Sequence, residues 1–467
     1  MTGIWTGGNS PAYTIARCAL LCLIVCLAIP APGQVSSPVV DLPSLAISTD
    51  QTSEPNRPAP PPTLEGVNDN ADSVGFRDRE HGPFNLGFEL RGGWSDNLFN
   101  TSLNAKSSES YSAGVPIGAR WHGSKSDLDV NYRIDAWRYP EYSSVNSISQ
   151  TYQHQWKYRS SDLTSYFWSG SAGRVESLGQ YLPVVIAIGS TGVAQSSVGS
   201  NVLENSYVTT SAASAAGFLH QVSENNSISG TATAAWIEQA QKQAVSNQPR
   251  AILRSEPAGL DFRFDHQSSS DLSIGAEVTD VYIRGLAPSG HVNFTTLEAT
   301  SQYKFTQTLT LLVAAGPLFY TANSTADNVS SVSYAASATV NYVTRAARIT
   351  GGYSHVVQLG YIDPATAAHE LSLIFDRALT RSIDLTVDGR YVRTVANLPA
   401  LRQSDFGITT NATRYLTPKL GVVLAFAGFQ QTNPQGLAKS PPINSNQFSF
   451  GITYLLGNPF TREEPIK

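Results

Sequence analysis

Eight histidines are the side chains best suited to acid–base or metal chemistry: His81, His122, His154, His220, His266, His291, His355 and His369. They scatter over strand ends and connections. None belongs to a Gly-x-Ser-x-Gly elbow or a His-Glu-x-x-His pair. His154 falls between Tyr152 and Trp156 on an apolar face, an interface position rather than a catalytic one. Cys18, Cys22 and Cys26 are the only cysteines, all near the N-terminus, so the rest of the chain has no disulfide and no thiolate metal site. No catalytic residue, metal set or cofactor is expected. A hydrolytic site built from distant strands is an alternative that spacing alone leaves open.

The charged residues are more informative than the histidines, because they alternate with apolar ones. Leu128, Val130, Tyr132, Ile134 and Ala136 interleave with Asp129, Asn131, Arg133, Asp135 and Trp137. Near residue 84, Phe84, Leu86, Phe88 and Leu90 interleave with Asn85, Gly87, Glu89 and Arg91. Period two means a strand with one apolar and one ionic face. The same alternation directs Glu89, Arg91, Arg120, Asp129, Arg133, Asp135, Trp137, Lys157, Arg159, Glu277, Lys304, Asp384, Asp388 and Arg390 to the ionic face. Both signs are present. Such a set either pairs internally and stiffens the wall, or biases which solutes pass. Trp137, beside Arg133 and Asp135, is placed to stack on a sugar ring. Trp94, Trp121, Tyr139, Trp156, Tyr158, Trp168 and Trp236 lie near strand ends, where a headgroup girdle would put them.

The elements that carry these residues are long. About eighteen strands are predicted, from 84–94 to 446–456, with sixteen or twenty as alternatives. Most have about nine to thirteen residues, against about five or six in globular sheets, and a tilted membrane strand needs about nine to eleven. The connections alternate in length. Long ones are expected at 95–110, 139–149, 175–205, 239–248, 284–292, 321–331, 358–368, 394–403 and 431–445, with short turns between. That asymmetry, and an even strand number, fit a transmembrane up-and-down antiparallel β-barrel with both termini on the periplasmic side. In the longest connection the run 182–193 is apolar. Its residues Leu182, Val184, Val185, Ile186 and Ile188 can fold inward as a constriction or form an external hairpin.

Composition agrees. Charged residues are 14 %, hydrophobic 41 % and aromatic 10 %. Few charges with many aromatics suit a lipid-facing exterior. The first 33 residues read as a signal peptide: Arg17, an apolar run over 18–29, then small residues at Ala31 and Gly33. Without Arg17, the 31 basic residues become 30 against 36 acidic ones, a balance that disfavours nucleic acid. Residues 34–80, with Arg57-Pro58-Ala59-Pro60-Pro61-Pro62, read as a flexible periplasmic segment, 84–456 as the barrel and 457–467 as a C-terminal tail.

Gly92-Gly93-Trp94-Ser95-Asp96-Asn97-Leu98-Phe99, followed by Tyr132-Arg133-Ile134-Asp135 and Arg138-Tyr139-Pro140, resembles the β-barrel porins (β-barrel porin 2-like) found with bacterial exopolysaccharide gene clusters. The motif covers about 84–175, and the rest agrees by periodicity. The resemblance implies an outer-membrane protein of a Gram-negative-type bacterium, and no catalytic residues. It implies a pore for polar solutes or one linked to exopolysaccharide secretion, with polysaccharide or polysaccharide-export proteins as partners. A closed structural or adhesive surface barrel is the alternative. Partners common to these barrel readings are the lipid bilayer and the outer-membrane insertion machinery. One feature departs from common outer-membrane barrels: the last alternating aromatic, Tyr454, is followed by a further tail.

Overall fold

Alternation over a dozen residues gives each strand two chemically distinct faces, and a sheet of such strands must bring each face to a matching environment. A computed structural model describes residues 84–98, 105–143, 146–178, 183–185, 196–198, 206–241, 252–286, 290–323, 328–344, 347–358, 366–380, 382–395, 404–417, 419–432 and 442–456. The expected signal peptide, proline-rich segment and tail lie outside the described residues.

The first strands are β1 (Phe84–Ser95), β2 (Ser108–His122), β3 (Ser126–Arg138), β4 (Ser147–Ser161) and β5 (Thr164–Leu178). A two-stranded piece follows, β6 (Pro183–Val185) with β7 (Ser196–Val198). Then come β8 (Ser206–Ser223), β9 (Asn226–Gln241), β10 (Ile252–Gln267), β11 (Leu272–Leu286), β12 (Gly290–Lys304) and β13 (Leu309–Asn323). The last are β14 (Asn328–Val343), β15 (Ala347–Gln358), β16 (Thr366–Thr380), β17 (Ile383–Val395), β18 (Ser404–Thr417), β19 (Leu420–Thr432) and β20 (Ile443–Leu455).

Eighteen of these form one sheet in which each strand pairs antiparallel with the next, β5 meeting β8. β1 pairs with both β2 and β20, so the sheet closes and has no edge. The expected all-β barrel of eighteen strands is therefore the fold. No helix among the described residues is long and apolar enough to cross a membrane, which leaves crossing by strands untouched.

The outside of this barrel is apolar. Phe84, Leu86, Phe88 and Leu90 on β1, Leu260, Phe262 and Phe264 on β10, and Phe448, Phe450, Ile452 and Tyr454 on β20 are all exposed. On the opposite face of β1, Glu89 is 2 % and Arg91 7 % exposed. Half-burial of a large apolar side chain forfeits about 1 kcal/mol in water. These three strands alone would lose on the order of 10 kcal/mol, comparable to the whole net stability of a domain. The arrangement is stable only where the outer surface meets hydrocarbon. A strand of 13 residues, tilted about 45°, rises roughly 30 Å, the thickness of that layer.

Proline interrupts the ladders where its missing N–H requires it. Between β1 and β2 the register runs Leu86↔Ile117 and resumes at Glu89↔Gly114, passing over Pro116. Between β9 and β10 it passes over Pro257 in the same way.

Two of the expected long connections are short. β11 and β12 pair as far as Leu286↔Gly290, leaving only 287–289 between them. β13 and β14 pair as far as Asn323↔Asn328, leaving 324–327. The expected 284–292 and 321–331 loops are therefore mostly ladder. The reason is packing on the inner face: Val281 and Ile283, Val292 and Phe294, Leu318 and Ala335 form a buried apolar cluster with Tyr320 against it. That cluster carries these strands beyond the point where the local sequence turns polar.

Candidate functional site

The inner wall is the candidate site. β1, β2 and β3 hold its best-defined group. Alternation and the Glu89↔Gly114↔Asp135 register put Glu89, Arg91, Arg133 and Asp135 on one face. Arg133 is the hub. Its Nη2 donates to Glu89 Oε2 at 2.9 Å and to Asp135 Oδ1 at 2.7 Å, while its Nε donates to Asp135 Oδ2 at 2.7 Å. Arg91 pairs with the other oxygen of Glu89. The intervening β2 residue is Gly114, and a Cβ there would stand 2.5 Å from Asp135 Oδ1 and 3.1 Å from Arg133 Nη2. Only glycine leaves room for the two side chains to meet over that strand.

Nearer the short-turn end, Arg120 pairs with its direct cross-strand neighbour Asp129. On the far wall Glu277 is brought against a group that the sequence reading left out. Arg263 and Glu298 are its cross-strand partners. Thr279 Oγ1 donates to Asp261 Oδ2 at 2.9 Å and lies 3.4 Å from Glu277 Oε1. Arg263 pairs with Asp265 at 2.6 Å. On β16 and β17, Arg390 pairs with Glu370 at 2.9 Å. Asp261, Arg263 and Asp265 were legible: Leu260, Phe262 and Phe264 alternate with them as clearly as any run in the chain.

The remaining candidates are distributed rather than gathered. Trp137 is half-buried on the face of Arg133, with Ser112 and Ser147 across from it. Lys157 and Arg159 follow one another on that face of β4, and Lys304 lies at the short-turn end of β12. Asp384 and Asp388 share their face of β17 with Arg390. Val184 and Val185 fall in the β6–β7 piece, while Leu182, Ile186 and Ile188 lie outside the described residues.

Trp94, Trp121 and Trp168 are exposed on the outer face, while Tyr139 is not. It is packed with Tyr142 over Leu98, and burial pushes its phenol well above the ordinary tyrosine value. Three of the histidines pair with a threonine or asparagine side chain: His220 with Thr164 at 2.9 Å, His266 with Asn226 at 2.9 Å and His291 with Asn323 at 2.7 Å. His154 lies 4.3 Å from Trp168, ring to ring, as an outer-face position suggests.

Fold and wall together define a class: a closed antiparallel β-barrel that presents an apolar band to lipid and a charged face to its interior. No family model and no curated protein matches the chain. Among solved structures, it is similar to the FrpB iron transporter from Neisseria meningitidis (F5-1 variant), at 9 % identity and TM-score 0.41, over 80 % of this chain and 82 % of that one. It is also similar to OpdL of Pseudomonas aeruginosa, at 10 % identity and TM-score 0.38, over 80 % and 98 %. Acinetobacter baumannii OccAB4 gives 11 % identity and TM-score 0.41, over 80 % and 98 %. The likeness is one of barrel form alone.

Proposed function

We propose that this chain is a bacterial outer-membrane pore whose water-filled interior passes small polar solutes without covalent chemistry. One observation carries the reading. Inside a closed wall, charged side chains keep accessible area: Arg120 26 %, Asp129 28 %, Arg390 26 % and Arg133 21 %. Eighteen strands enclose more space than side chains fill, which is the regime of aqueous channels. The export-like N-terminus and the short-turn side that both ends of the barrel share support the outer membrane with periplasmic termini. Charges of both signs, paired along the wall, favour weak charge selectivity over a steep preference.

The test is conductance of the folded, purified protein in a planar bilayer. Stepwise ohmic channels with similar permeability for K⁺ and Cl⁻ are expected. A correctly folded protein that inserts and never conducts would establish the closed, structural barrel instead.

A second reading, passage of polysaccharide, has Trp137 in its favour, an aromatic on the inner face above the Arg133 group. Under it, oligosaccharides block the current and Trp137→Ala relieves the block. Undiminished current at saturating oligosaccharide removes this reading and leaves the pore.

A further inference from the structure

His355 and His369, fourteen residues apart in sequence, face each other directly across β15 and β16. Their neighbours fix the face. Tyr353 pairs with Leu371 and Gly351 with Leu373, and both leucines are exposed on the outer wall. The histidine pair lies three rungs below the last pair, Gln358↔Thr366, on the side of the barrel with the longer connections.

Four rings converge there. His355 Nδ1 lies 3.3 Å from His369 Nδ1, and Tyr353 Oη lies 2.9 Å from the same His369 nitrogen. Tyr334 stacks on His355 with centroids 4.1 Å apart and planes 17° apart, which helps bury that ring to 4 % exposure. A neutral imidazole Nδ1 offers one proton or one lone pair, in the ring plane. It cannot satisfy two polar atoms at once, so hydrogen bonding alone accounts poorly for this crowding.

A shared cation accounts for it better. With metal–nitrogen bonds of about 2.0–2.1 Å, two nitrogens 3.3 Å apart subtend about 105–110° at the metal, the tetrahedral angle. The phenol oxygen is close enough to supply a third donor. The two imidazoles are borderline ligands that favour Zn²⁺ or Cu²⁺ over Ca²⁺ or Mg²⁺, and the harder phenol oxygen is compatible with both. No group of three or more His, Cys, Asp or Glu side chains is placed for a metal among the described residues; here the third donor is a tyrosine. Arg393, across β17 from His369 and exposed, is a like-charged neighbour that weakens the site without occupying it.

We propose that His355, His369 and Tyr353 form a zinc-class metal site on the outer rim of the barrel, clipping β15 to β16. The site is independent of whether the lumen conducts. The test uses the full chain, without a histidine tag, purified in detergent and titrated with ZnCl₂ by calorimetry. CoCl₂ absorption reports tetrahedral geometry. About one equivalent should bind. His369→Gln should weaken binding by more than the roughly tenfold that losing an outer-shell partner costs. Tyr353→Phe should weaken it less, and His154→Gln should leave it unchanged. Heat-modifiable gel mobility verifies folding, and His369, half-buried, remains the informative variant if the buried His355→Gln does not fold. Zinc binding of equal stoichiometry and affinity in His369→Gln, or no binding below millimolar zinc, overturns the proposal.

Discussion

Replacing Arg133 by methionine tests whether the inner-wall charges act as a connected unit. Methionine keeps much of the length and removes the charge. The loss falls on two carboxylates: Glu89, 2 % exposed, and Asp135, 13 % exposed. Removing one partner of a buried ion pair costs about 3–5 kcal/mol, because the other charge stays buried. Glu89 keeps Arg91, so the lower figure applies, about 3 kcal/mol. Arg120→Met is the internal reference. Its pair with Asp129 is 26 % and 28 % exposed to the interior, where a solvated pair contributes about 0–1 kcal/mol. Urea unfolding from lipid vesicles, followed by tryptophan fluorescence, measures both. The double variant Glu89→Gln/Arg133→Met should recover part of the loss, since removing both partners leaves less uncompensated charge. Equal costs for Arg133→Met and Arg120→Met, or no recovery in the double variant, would refute the claim that burial distinguishes these two pairs.

Three further outcomes follow from the same wall. Gly114→Val should separate Arg133 from Asp135 and cost about as much as losing a buried charged hydrogen bond, roughly 1.5–3 kcal/mol, whereas valine at Gly407, with nothing within 4 Å of its would-be Cβ, should be nearly neutral. Cysteine at Arg133 or Asp135 should react with a small charged thiol reagent and cysteine at Phe88 or Leu90 should be shielded; inverted labelling would mean the two faces are exchanged. Deleting 180–200 should leave folding intact, since loops contribute little to the ladder, and should raise conductance; unchanged current with altered surface proteolysis would favour an external hairpin, and failure to insert would make the segment part of the wall.

The barrel was legible because period two is a local signal that closure does not alter. Leu128 to Ala136 alternates in the chain as it does in β3, and each of the eighteen expected strands has its counterpart. Strand ends were less legible. Arg284, His291 and the polar residues around Asn323 and Asn328 look like loop, but their ladders are carried upward by an apolar cluster drawn from four strands. No single segment shows that cluster. The inner charges divide the same way. Which face a residue takes follows from parity, so Glu89, Arg133 and Glu277 were found. Which residues pair follows from register between strands, so Glu370 with Arg390 and His355 with His369 were not.

The opening motif shows how register changes the meaning of a sequence pattern. Read alone, Asp96-Asn97-Leu98 after an alternating strand resembles a family signature. In the fold these residues lock the seam where the last strand meets the first. Asn446 donates its backbone N–H to Asp96 Oδ1 at 2.7 Å and its amide to Oδ2 at 2.6 Å. Asn97 Nδ2 donates to the Asn444 carbonyl at 2.8 Å, and Ser445 Oγ donates to the Asn97 carbonyl at 3.3 Å. Leu98 is buried under Tyr139 and Tyr142. Closure of an eighteen-stranded sheet requires its most distant segments to find one another, and a carboxylate and an amide that match backbone groups on β20 specify that register. The seam must close in this register whether or not the barrel conducts, so the motif argues for closure of the wall and is silent on function.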